Sequence, residues 1–180
     1  MNSISSSAFR CSPRRVESLR AAEVWLVSTL RLAVCNIRLQ SPTSELYEQG
    51  FEAANLPMPL ADALYAGLQI LIVSSPEIID VRHLGGRELS SDEERLMMLI
   101  HALQHGDEFS ARRVTRDWLP PSAARLVVSH LSALAQGMLL AGLRISAPPG
   151  MMSSCPMMSL VTRRLDELEN GTPEQPFWLN

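Results

Sequence analysis

His101 and His105 stand four residues apart in the run His-Ala-Leu-Gln-His. On a helix that spacing lets two imidazoles face one metal ion. Glu94 falls on the same side, with Asp107 or Glu108 close by in sequence, and together these are ligand types that suit zinc. Ala102 occupies the position where zinc proteases carry their general-base glutamate. Metal ligation by Glu94, His101 and His105, with a metal-dependent enzyme built on it, is therefore a third expectation. The first is that these histidines lie on a solvated helix face.

A second constellation is basic. Arg112, Arg113 and Arg116 fall on one side of a helix, with Trp118 at its end and Arg125 beyond a double proline. Arginine beside tryptophan is the composition of protein-interface hot spots, and arginine also grips phosphates. These five residues are the expected interaction surface, with a protein partner or self-association expected first and nucleic acid second. A helix-turn-helix over 92–118 would match at Ala102 and Gly106. It fails in the second helix, where Arg112 and Thr115 stand in place of buried aliphatics.

The remaining reactive residues converge less. His130 lies beside the apolar surface of a long helix, as a core histidine bonded to a carbonyl would. His83 precedes Leu84-Gly85-Gly86 with no evident partner. Met151, Met152, Cys155, Met157 and Met158 form a soft-sulfur cluster whose ligand types suit Cu(I), though methionines also fill irregular gaps or adapt to partners. No serine or cysteine sits in a nucleophile elbow, and there is no glycine-rich phosphate loop. The sequence thus offers no catalytic residues and implies no cofactor; its balance lies with a non-catalytic protein.

The elements that must position these residues are helical throughout. Arg14 to Leu39 places Val16, Leu19, Val24, Val27, Leu30 and Val34 near one face, and such a helix must lie against the body or a partner. Ser41-Pro42 breaks it. A short helix follows from Ser44 to Ala54, then a proline-stiffened linker, then a nearly all-apolar helix over Leu60–Val73. Ile70–Val73 is alternatively a strand pairing with Ile78–Leu84. Ser91 with Glu94 is a capping box, and Ser90 with Glu93 repeats the pattern one register earlier.

From there a helix runs to about His105, where Gly106 ends it, and Asp107 caps the next over 108–118. The run Leu103, Gly106, Asp107, Ala111 resembles the hairpin of tetratricopeptide repeats, but the other repeat positions do not match and no second copy exists. Leu119-Pro120-Pro121 separates this element from the longest helix, Ala123–Leu143. There Val127, Val128, Leu131, Leu134, Ala135, Met138 and Leu139 line one face, and Leu126, Ala133 and Leu140 a second. A short charged helix over Met158–Asn170 closes the chain.

The totals bound the class. The chain has 180 residues, 46% apolar and 5% aromatic, enough to bury an aliphatic core. All sixteen basic residues are arginine, a pattern of GC-rich coding that points to a bacterium. The net charge of −3 is uneven: residues 1–40 carry six arginines against Glu17 and Glu23, so a basic arm precedes an acidic body. Cys11, Cys35 and Cys155 are an odd number without a framework, which argues for a reducing cytoplasm.

The serine- and arginine-rich start has the composition of a transit peptide. Arg14-Arg15 before an apolar run is similar to a twin-arginine signal, but Glu23 and Arg31 interrupt that run. No uninterrupted apolar run approaches the roughly 20 residues of a bilayer span. The expected architecture is all-α, an orthogonal bundle of five to six helices. Residues 1–40 form a start and basic helix, 41–145 the helical core, and 146–180 a loosely packed tail. The expected function is that of a cytoplasmic interaction or regulatory protein of adaptor type. A DNA-binding regulator reading through Arg112, Arg113 and Arg116 is the alternative.

Overall fold

A computed structural model describes residues 14–40 and 44–147. The chain divides after Ser146, and apart from Ala147 the second unit lies outside those residues. So do the start as far as Pro13, the soft-sulfur cluster and the helix expected over Met158–Asn170. The described chain is all-α: α1 (Ala21–Arg38), α2 (Glu45–Ala53), α3 (Met58–Ser74), α4 (Ser91–Gln104), α5 (Glu108–Arg116) and α6 (Pro121–Leu140).

The first helix starts later than its periodicity suggests. Val16–Ser18 is a single 3-10 turn, and Arg14 and Arg15 run extended beside Arg87–Leu89 through Val16 N–H to Arg87 O and Leu89 N–H to Arg14 O. Glu23, fully buried, then caps α1 by accepting from the backbone N–H of Arg20 at 2.9 Å. Leu26, Val27, Leu30, Ala33 and Val34 of α1 belong to the same apolar core as every later helix. Residue 40 thus lies between two helices whose buried residues share one core.

Aromatic packing joins α1 to α2. Trp25 meets Phe51 edge-on at 5.3 Å, Phe51 meets Tyr47 at 5.2 Å, and the Trp25 indole donates to Gly50 O at 2.7 Å. Tyr47 donates to Ala61 O across to α3, and burial pushes its phenol pKa well up, with Asp62 and Tyr65 adding to the shift.

The apolar run Ile70–Val73 stays helical, and the described residues contain no strand. A strand there would require Ile78–Leu84 to pair, and that stretch instead runs irregularly over the core with Ile79 and Val81 buried. The most extensive helix packing is α3 against α6. Gly137 meets Leu60 of α3 there, and a Cβ at that position would force the Leu60 side chain to shift.

Pro121 opens α6 rather than only ending α5, as its fixed φ suits a first helical turn. Val127, Leu131, Leu134, Ala135 and Met138 are buried, whereas Leu126 and Leu140 are exposed, so the second apolar face of α6 points outward. By length and composition alone α6 would also suit a bilayer span; here one of its faces lies in the core.

Candidate functional site

The α4–α5 hairpin carries both constellations singled out by residue type. Its N-terminus is fixed by Ser90, whose hydroxyl accepts from Glu93 N–H at 3.1 Å while the Glu93 carboxylate accepts from Ser90 N–H at 2.9 Å. Of the two capping registers written in sequence, the earlier one forms, and Glu93 is why. It is buried and paired with Arg31 of α1 at 2.6 Å, which requires position 93 to face inward. Gly106, at φ +67, makes the left-handed step out of α4.

Asp107 then caps α5 by accepting from Ser110 N–H at 3.0 Å. Hydrogen bonds from the side chain and then the backbone of Ser110 hold the Asp107 carboxyl below its usual range, outweighing the small upward push of desolvation.

Along α5, Ala111 and Thr115 face the core, and the Thr115 hydroxyl returns to Ala111 O. The opposite face carries Phe109 with Arg112, Arg113 and Arg116 three, four and seven residues after it, a single helical stripe. All four are exposed, and Phe109 is 78% accessible. Arg112 pairs with Glu108 at 2.9 Å on the open surface. Arg113 and Arg116 have no ion-pair partner among the described residues, and neither has Arg125, exposed at the start of α6.

Trp118 departs from the expected surface and is corrected to a core residue, 5% exposed. The helix ends at Arg116, and Trp118 and Leu119 fold back through backbone bonds to Thr115 O. The indole N–H then reaches Asp92 Oδ1 at 3.3 Å, and the Arg95 guanidinium stacks 5.6 Å from the ring centroid. The exposed aromatic of this helix is Phe109, which reading by composition missed. The signal was its spacing of three, four and seven from the arginines.

Glu94, His101 and His105 do not form one metal cluster. Glu94 stands seven residues before His101, about 10 Å along the helix axis, and no group of three such ligands gathers among the described residues. His101 is half-buried rather than solvated, since its Nδ1 lies 2.8 Å from Ile145 O. The segment Leu143–Ser146 is strapped down by side chains: Gln104 bonds both Leu143 O and Ile145 N–H, and Glu23 accepts from Ser146 N–H. His130 is half-buried, and His83 is exposed beside Gly85.

Two clefts flank the 75–79 loop, of about 210 Å³ beside Arg38 and about 70 Å³ beside Trp118. Both fall short of the ~300 Å³ at which small-molecule pockets begin. No family model, no curated protein and no solved structure matches this chain.

Proposed function

We propose that the chain is a non-catalytic protein-binding module, an adaptor or regulator, that docks through the outer face of α5. The observation that carries this reading is Phe109, a large aromatic 78% exposed and flanked on its own stripe by Arg112, Arg113 and Arg116. Aromatic and arginine side chains are the residues interfaces favour, and leaving a phenylalanine in water has no folding benefit. Charge supports protein over nucleic acid. Residues 107–117 set three arginines against Asp107, Glu108 and Asp117, a local balance of zero. The partner that fits is a protein surface with an apolar notch rimmed by carboxylates. Cys35, exposed and unpaired, suits a reducing cytoplasm.

The test places a photo-crosslinking residue at 109 in the full chain, expressed in its own cells, and measures affinity for the captured partner with purified proteins. Phe109→Ala is expected to weaken binding by about 2 kcal/mol, roughly 30-fold, as hot-spot truncations do. Unchanged affinity in both Phe109→Ala and Arg113→Ala overturns the reading. So does capture of nucleic acid whose binding falls ~10³-fold or more between 50 and 200 mM salt.

A further inference from the structure

The last turn of α4 fixes the ring hydrogens of both its histidines. His101 Nδ1 lies 2.8 Å from Ile145 O, and His105 Nδ1 lies 2.8 Å from His101 O. A carbonyl oxygen only accepts, so each Nδ1 carries a hydrogen and each neutral ring keeps its lone pair on Nε2. The ring centroids are 4.3 Å apart. Two Nε2 donors are thus held on adjacent rings, each anchored through Nδ1–H to a backbone carbonyl, as metal-binding histidines commonly are.

We infer that His101 and His105 form an open two-histidine site for a divalent late first-row cation such as zinc or nickel. Imidazole nitrogen suits these ions. No third protein ligand joins the pair among the described residues, so water would complete the coordination and exchange readily. Asp107, two residues beyond His105, caps Ser110 through Oδ1 and belongs to no group of three metal-ligand types among the described residues. Its carboxylate adds negative charge close in sequence to the pair. A cation on His101 Nε2 polarises the ring and makes Nδ1–H a stronger donor to Ile145 O, so binding tightens the Leu143–Ser146 strap.

The experiment is calorimetric titration of the tag-free full chain with Zn(II), repeated with Ni(II). One equivalent is expected to bind, and the Ile145 amide, which donates to Gln104, is expected to exchange more slowly when the ion is present. His105→Ala, at an exposed position, and His101→Gln are each expected to weaken binding at least about tenfold, because losing even an outer-shell partner costs that much. His83→Ala and His130→Ala are expected to leave it unchanged. Absence of binding to the unmutated chain, or a loss smaller than tenfold in folded His105→Ala, overturns the proposal.

Discussion

Arg31 and Glu93, 62 residues apart, meet in the core through two parallel hydrogen bonds, Nε to Oε1 at 2.6 Å and Nη2 to Oε2 at 3.0 Å. Both side chains are almost wholly removed from water. The guanidinium also donates from Nη1 to Gly86 O and from Nη2 to Glu88 O, and the carboxylate also accepts from the backbone N–H groups of Arg82 and Ser90. One ion pair therefore ties α1, the irregular 82–90 segment and the start of α4 together.

Breaking that pair from one side strands a buried charge. Arg31→Met or Glu93→Leu alone is expected to cost about 3–5 kcal/mol of folding stability. In many proteins, replacing both partners with apolar residues recovers all of this. Here recovery should be partial, because the double variant leaves the Gly86 and Glu88 carbonyls and the Arg82 and Ser90 amides without their partners, at about 1–3 kcal/mol for each group that water cannot reach. Urea unfolding of the two single variants and the double variant, read as a double-mutant cycle, checks this. Full recovery in the double variant would show that the 82–90 segment does not depend on the pair.

The same tertiary pair explains what was legible in the sequence and what was not. The helices were readable because local signals agree: Gly106 and Asp107 between α4 and α5, and the prolines ahead of α6. The choice between Ser90 and Ser91 as the cap was not, because both registers satisfy the local rule and only the distant Arg31 separates them. The place of Trp118 depends on tertiary contacts in the same way. Extending α5 by two residues puts the indole near the arginines, whereas ending it at Arg116 turns the indole onto Asp92 and Arg95. On α6 the periodicity marked two apolar faces, but the helices packed on it cover only one, leaving Leu140 90% exposed.

Trp118 and Phe109, nine residues apart, should accordingly behave in opposite ways. Trp118→Ala removes a buried indole and its bond to Asp92, and is expected to cost about 3–5 kcal/mol, as large aromatic truncations in cores do. Phe109→Ala touches an exposed ring and is expected to change stability by no more than about 0.5 kcal/mol. Thermal melts of the two variants distinguish them directly. A large loss in Phe109→Ala would mean that this ring is part of the fold and not available to a partner.

Asp107 gives a pH signature to the α4–α5 junction. Its carboxyl titrates below the unfolded value of 3.8 because the Ser110 side chain and then the Ser110 amide bond the charged form. A depressed acid contributes stability that is complete above the unfolded pKa and is lost as pH falls through the folded one. The group is mostly exposed, so solvent screening keeps its charge contribution small. Asp107→Ala is expected to cost about 1 kcal/mol at neutral pH, the usual worth of an N-cap. Asp107→Asn keeps an acceptor for Ser110 N–H but loses the charge, so it should cost less. The gap between unmutated and Asp107→Asn protein should close as pH drops below about 4, where the unfolded aspartate takes up its proton. Denaturant midpoints at neutral pH and near pH 3 test the sign. A gap that widens on acidification would mean that the carboxylate, not the carboxylic acid, is the destabilising form at this cap.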